Sequence, residues 1–129
     1  QATIVREFAD KHRHEARCVL WNIGETHDPF EFGGLISEQS TMRQLLREGA
    51  EYDPERVERL LRKQAAALEY ASRFVGETIT YLERSSPVSS WVSIVCADHG
   101  ECFGEDGYFG HGFYHPLVMK VPLGIRLPS

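Results

Sequence analysis

The stretch that most constrains the fold is an apolar run, residues 91–96 (WVSIVC), that stops at Asp98-His99. Its β-branched and apolar composition predicts a buried strand. A glycine- and aromatic-rich loop follows, and it contains His111 and His115. Ligands of open α/β sheets bind beyond the carboxyl ends of strands, and a carboxylate beside an imidazole is typical of divalent-metal sites. The sequence therefore predicts metal-dependent hydrolysis at this strand end.

The order of predicted elements favours the α/β class. We predict a buried strand at 18–23, a helix at 41–48, a long helix at 54–84, the strand at 91–96 and a final apolar segment at 117–127. Residues 1–17 are polar and weakly patterned, and we expect no more than a short helix there. Strands separated by helices are typical of crossover connections. We therefore expect one partial α/β domain over residues 1–129, with a parallel-type sheet and helical crossovers.

The long helix has the clearest pattern in the chain. Asp53 is a good N-cap, and Pro54 suits the first helical position. The apolar positions fall mostly three, four or seven residues apart, at Val57, Leu61, Ala65, Leu68, Val75, Ile79 and Leu82. They predict one buried stripe on a helix of about 30 residues, roughly 45 Å long. A coiled-coil dimer is the alternative interpretation of this stripe.

Composition excludes several function classes. The formal net charge of −5, without a cluster of basic residues, argues against a nucleic-acid partner. No apolar run approaches the roughly 18 residues that a membrane span needs. Three cysteines do not form a disulfide framework, so we expect a reducing compartment and a cytoplasmic location. The chain opens with Gln1 rather than Met, and we expect a piece of a longer polypeptide.

Two histidines are candidates for contact with an anion. His27 follows the first predicted strand, so we expect it at the same sheet edge as Asp98. An imidazole there contacts an anion or protonates a leaving group, and ordinary turn chemistry is the alternative. His111 lies between glycines and is a candidate for a metal or an anionic oxygen; packing on aromatic neighbours is the alternative. We interpret His115 as a packed loop histidine.

A cysteine nucleophile needs an activating base or a positive environment. Cys18 and Cys96 lie in strand-like runs, so we predict buried and inert thiols. Cys102 lies in the loop after the Asp-His pair. It is the one cysteine that we retain as a candidate.

Several motifs together resemble the C-terminal half of the sulfatase family. They are Ala97-Asp98-His99-Gly100-Glu101, Phe103-Gly104-Glu105-Asp106-Gly107, His111-Gly112 and Val121-Pro122-Leu123, and upstream Thr26-His27-Asp28-Pro29. That family belongs to the alkaline-phosphatase superfamily, which includes phosphonate monoester hydrolases and lipoteichoic acid synthases. The resemblance implies the fold of the C-terminal half of an alkaline-phosphatase-like domain, with the helix at 54–84 as its crossover.

The resemblance also implies roles for individual residues. Asp98 and His99 would be metal ligands, for Ca, Mg, Mn or Zn. His27 and His111 would contact the sulfate or phosphate group of a small ester substrate, or His111 would belong to the second metal site of two-metal relatives. Glu101 would orient the loop or support a ligand.

The departures from the family pattern shape the functional expectation. The family nucleophile lies in the motif C/S-x-P-x-R, and no cysteine here has proline two residues later. The acidic metal ligands of the family's first strand also have no counterpart. We therefore expect a C-terminal fragment of a metal-dependent hydrolase of sulfuric or phosphoric esters, inactive alone. The alternatives are a non-catalytic α/β binding or assembly module, self-associating through an exposed sheet, and a small helical interaction protein.

Overall fold

The computed structural model describes residues 1–27, 30, 53–85 and 91–128. The elements are α1 (Ala2–Lys11), α2 (Pro54–Ser85), β1 (Ser93–Cys96), β2 (Cys102–Phe103), a 3-10 turn (Glu105–Gly107), β3 (Phe109–Gly110), α3 (Pro116–Met119) and β4 (Leu123–Arg126). This mixture of helix and strand agrees with the predicted α/β class. The helix predicted at 41–48 lies outside the described residues.

The prediction of the long helix is confirmed. One carboxylate oxygen of Asp53 accepts hydrogen bonds from the backbone N–H groups of Glu55 (3.0 Å) and Arg56 (3.3 Å). These bonds satisfy amides that have no partner within the helix. Across the described ranges, no helix is long and apolar enough to cross a membrane.

The predicted buried stripe of α2 is confirmed at Leu82 and wrong at Leu61 and Leu68, where the buried side of the helix lies about one position away. Its buried residues are Leu60, Ala67, Ala71, Thr78 and Leu82. By contrast, Leu61 and Leu68 are 44% and 57% exposed. Neighbouring positions on a helix point about 100° apart, so a shift of one residue turns a leucine out of the core. Three of the buried positions carry small side chains, which let adjacent segments approach the helix closely.

The two halves of α2 pack against different parts of the chain. Near its N-terminus, Leu60 and Ala67 form a buried cluster with Phe30 and Phe103. Near its C-terminus, α2 packs on α1, and the Tyr81 hydroxyl donates a 2.6 Å hydrogen bond to the carboxylate of Asp10. The helix therefore packs against Phe30 and β2 at one end and against α1 at the other.

The predicted parallel sheet is not confirmed. Among the described residues, β1 pairs with β4 and β2 pairs with β3, and both ladders are antiparallel. The final apolar segment divides into the single-turn helix α3 and the strand β4. Because the chain reverses direction between β1 and β4, the two strands run in opposite senses.

Two predicted buried strands are exposed. In β1, Ile94 is 62% exposed, and Cys96 is exposed rather than buried. Residues 17–24 alternate between half-buried and exposed positions, as in an extended chain with one side on the protein. They join no ladder in the described part, and Cys18 is exposed, so both buried-thiol predictions were wrong. Nothing in the described chain covers the outer sides of these segments.

Candidate metal centre

The end of β1 is fixed by backbone contacts with the segment that carries α3. The N–H of Gly100 donates a 2.8 Å hydrogen bond to the carbonyl of Val118. A Cβ atom added at Gly100 would lie 1.9 Å from the carbonyl oxygen of Leu117, so a side chain has no room there. This close approach sets the position of the preceding residue, His99.

The imidazole of His99 is oriented by the backbone. Its Nδ1 lies 2.8 Å from the carbonyl oxygen of Gly100. Because a carbonyl only accepts, Nδ1 carries the proton and donates it. The neutral ring therefore has its lone pair on Nε2, which is the form that binds a metal ion.

A carboxylate orients His111 in the same way. Its Nδ1 lies 2.7 Å from Oε2 of Glu101, a side chain that is 8% exposed. The two residues directly flank the β2–β3 ladder, in which Cys102 is paired with Gly110. A buried carboxylate that accepts from Nδ1 fixes the orientation of the ring and the tautomer with a free lone pair on Nε2. This contact agrees with the expected supporting role of Glu101.

A turn brings His27 to the same place. Its carbonyl accepts a 2.7 Å hydrogen bond from the N–H of Phe30, whose buried ring stacks on Phe103 at 6.3 Å between centroids. The ring of His27 then meets those of His99 and His111 edge-on, at 5.8 and 5.3 Å. Packing of Phe30 against the β2–β3 hairpin thus positions the exposed His27 beside His99 and His111.

The three histidines form a cluster with the donor chemistry of a metal site. One ring nitrogen from each of His27, His99 and His111 lies within 4.8 Å of the others. Tetrahedral zinc with bonds of about 2.0–2.1 Å holds its ligand nitrogens about 3.4 Å apart, so the rings would close by up to about 1.5 Å on binding. Imidazole nitrogen suits Zn, Cu, Fe and Ni, whereas Ca and Mg prefer oxygen. The residues therefore fit a transition metal.

Asp98 lies at the edge of this cluster. Its side chain is 91% exposed, and one carboxylate oxygen is 3.8 Å from Nε2 of His99. The same oxygen accepts a 3.1 Å hydrogen bond from the His99 backbone N–H. The structure thus brings His99 together with His27 and His111, while Asp98 remains open to solvent beside them.

Cys102 and His115 lie in a separate, buried arrangement. The Cys102 sulfur is 3.2 Å from Nδ1 of His115, and Nε2 of the same ring is 3.2 Å from Asp106. The same Nδ1 accepts from the backbone N–H of Leu117 and caps α3. Burial, with smaller contributions from Glu105, Glu101 and Asp106, raises the pKa of the thiol. These are properties of a structural thiol, so Cys102 lacks the exposure and positive surroundings of a nucleophile.

Sequence reasoning did not connect these groups. It assigned His99 to a metal, His27 to an anion and His111 to an anion or a second metal site, and it did not link Cys102 with His115. The contact that brings His27 to the other two rings is the packing of Phe30 on Phe103, and no local motif shows it.

Comparison with known proteins gives one informative match. The chain is 30% identical over 130 residues to the choline-sulfatase of Rhizobium meliloti (strain 1021), across 92% of this chain. The alignment covers 25% of that protein, so the chain spans about a quarter of the length of its relative. No protein-family profile and no solved structure matches. The match supports a relationship to a sulfatase over nearly all of the chain.

Proposed function

We propose that this chain supplies the histidine-rich part of a metal-dependent hydrolase of sulfuric or phosphoric esters. The observation that carries the proposal is the convergence of His27, His99 and His111. The similarity to a choline-sulfatase favours a sulfate ester as substrate. We also propose, from the motifs named above, that the chain corresponds to the C-terminal part of such an enzyme.

The orientation of the rings supports metal binding at the cluster. Both His99 and His111 engage Nδ1 with an oxygen acceptor, at 2.8 and 2.7 Å, and so keep Nε2 free to bind. Asp98, beside His99, would add an oxygen ligand. When bound, a divalent ion would polarise the ester and stabilise negative charge on its oxygens.

The residues of this chain would bind and orient the charged group of the ester. His27 is the exposed member of the cluster and would contact the sulfate or phosphate oxygens. His111, whose Nδ1 is bound to Glu101 and whose Nε2 keeps its lone pair, would instead hold the metal ion beside His99. Because the chain has no C/S-x-P-x-R motif, the nucleophile would come from polypeptide outside it. The chain alone would therefore bind the anion without hydrolysing the ester.

Calorimetric titration with methyl sulfate and methyl phosphate tests this function. We expect binding to the zinc- or manganese-loaded chain and at least about tenfold weaker binding after chelation of the metal. His27→Ala should weaken anion binding, whereas His14→Ala, on an exposed residue outside the cluster, should not. Equal anion binding with and without metal would overturn the proposal. Enzyme-like hydrolysis of nitrophenyl sulfate by the chain, lost in Asp98→Ala, would overturn the claim that it is incomplete.

A further inference from the structure

One buried side chain, His115, contacts both of the segments that carry His99 and His111. His115 is 8% exposed, and its Nδ1 accepts a 3.2 Å hydrogen bond from the backbone N–H of Leu117. Because that amide donates, Nδ1 has no proton, and the proton of the neutral ring is on Nε2, 3.2 Å from the carboxylate of Asp106. Both ring nitrogens therefore make contacts within the protein, and neither is free to bind a metal ion.

The contact with Leu117 leads to His99. His115 is the N-cap of α3, and its backbone carbonyl also accepts a 3.0 Å hydrogen bond from the N–H of Val118. A single helical turn depends strongly on its cap, since the amides of its first turn have no partner within the helix. The carbonyl of Val118 then binds the N–H of Gly100, and the carbonyl oxygen of Leu117 lies against the same glycine. The cap of α3 therefore fixes the residue that follows His99.

The contact with Cys102 leads to His111. The Cys102 sulfur lies 3.2 Å from Nδ1 of His115, and Cys102 is fully buried. In the β2–β3 ladder, Cys102 pairs with Gly110. The residue before the cysteine is Glu101 and the residue after the glycine is His111, and these two are joined by the 2.7 Å hydrogen bond. His115 thus packs on the strand pair that holds His111 and its carboxylate together.

We propose that His115 is a positioning residue that sets the spacing between the rings of His99 and His111. Each of those rings is hydrogen-bonded at Nδ1 within its own segment, to Gly100 or to Glu101, so their relative position depends on contacts between the segments. The imidazole of His115 makes such a contact with both. Moving it would leave buried polar groups without partners, which is costly.

The effect of His115 on metal affinity rests on the proposed function, whereas its effect on ring spacing does not. Nuclear magnetic resonance of the metal-free chain measures the spacing. The ring centroids of His99 and His111 are 3.9 Å apart, so their protons should give nuclear Overhauser contacts. In His115→Leu these contacts should disappear, because leucine cannot accept from the α3 amide. In His115→Asn they should be retained, because asparagine is a favoured N-cap and its side-chain oxygen can accept from that amide.

Zinc titration of the same variants measures the consequence for the site. His115→Leu should lower zinc affinity by about 10- to 100-fold, as expected when a group that supports a ligand is removed. His115→Asn should restore it. Asp106→Gly is a second variant that preserves the fold, since glycine accommodates the positive φ of 53° at this position. It removes the contact at Nε2 and should lower zinc affinity by a smaller factor, so it keeps the test decisive if His115→Leu does not fold.

Leu82→Ala is the matched control for lost stability. Leu82 is buried near the C-terminal end of α2, and its truncation leaves a cavity that lowers the midpoint temperature of unfolding. It should leave the ring contacts and the zinc affinity unchanged. Ring contacts that persist in His115→Leu, or a loss that Leu82→Ala or His115→Asn shares, would overturn the proposal. If the wild type bound no zinc, the proposed function would fail instead, and the ring contacts of the metal-free variants would still decide the role of His115.

Discussion

The rings of His99 and His111 stack with 3.9 Å between their centroids and 22° between their planes. One ring follows β1 and the other follows β3, and each is held at Nδ1 by an oxygen acceptor. Two histidines from separate segments are therefore pre-positioned as neighbours. Such support reduces the reorganisation that binding of a metal ion requires.

The carboxylate that holds His111 should affect metal affinity without being a ligand. Glu101→Gln keeps an oxygen acceptor near Nδ1 but removes the negative charge, so the hydrogen bond that orients the His111 ring becomes weaker. We expect zinc affinity to fall by about 10- to 100-fold. Glu58→Gln, on the exposed surface of α2, is the control and should have no effect. Unchanged affinity in Glu101→Gln would show that the carboxylate does not support the site.

The close approach at Gly100 should make this position sensitive to a single methyl group. Gly100→Ala would place Cβ 1.9 Å from the Leu117 carbonyl oxygen and force the two segments apart. We expect a loss of at least about 1–3 kcal/mol in the free energy of unfolding, measured by urea denaturation. Gly112→Ala is the matched control, because its Cβ would meet no atom within 4 Å. Equal losses in the two variants would refute the steric explanation.

The raised pKa of Cys102 predicts a loss of stability at high pH. Burial comes first among the causes, followed by nearby acidic residues. Since the folded pKa lies above the unfolded value of about 8.5, the folded state holds the thiol proton more tightly. The contribution is complete below the unfolded pKa and is lost as pH rises through the folded one. The midpoint temperature of thermal unfolding should therefore decrease above about pH 8.5, and this decrease should be less steep in Cys102→Ala than in the wild type. Cys18→Ala should behave as the wild type, and an unchanged slope in Cys102→Ala would contradict the assignment.

The three thiols should also differ in accessibility. Cys18 and Cys96 are exposed, and Cys102 is fully buried. In dilute native protein, Ellman's reagent should therefore modify two thiols quickly and the third only after denaturant is added. Mass spectrometry of the modified peptides identifies the slow residue. Rapid labelling of Cys102 in the native state would contradict its burial.

Much of the secondary structure could be predicted from local signals. Asp53 and Pro54 mark the start of α2, and the β-branched run before Asp98 marks β1, because caps and β-branched runs act within a few residues. Burial was predicted less well, since Cys18, Cys96 and Leu61 are all exposed. Exposure depends on which other segment covers a face, and the composition of a strand or helix does not contain that information.

For the candidate site, too, local signals could be predicted from the sequence but contacts between distant segments could not. Motifs singled out His27, His99 and His111 one by one, from turn, strand-end and glycine signals. Their convergence depends on the packing of Phe30 on Phe103 and on the pairing of β2 with β3. These contacts are not local in sequence, so a single sequence could not place the three rings together.

Equilibrium dialysis against zinc, with the bound metal measured by mass spectrometry, tests the central claim most directly. The account predicts one zinc ion per chain in the wild type and in His14→Ala, and loss of stoichiometric binding in His99→Ala and His111→Ala. Absence of bound zinc in the wild type, or full binding by both cluster variants, would contradict a metal centre built on these histidines.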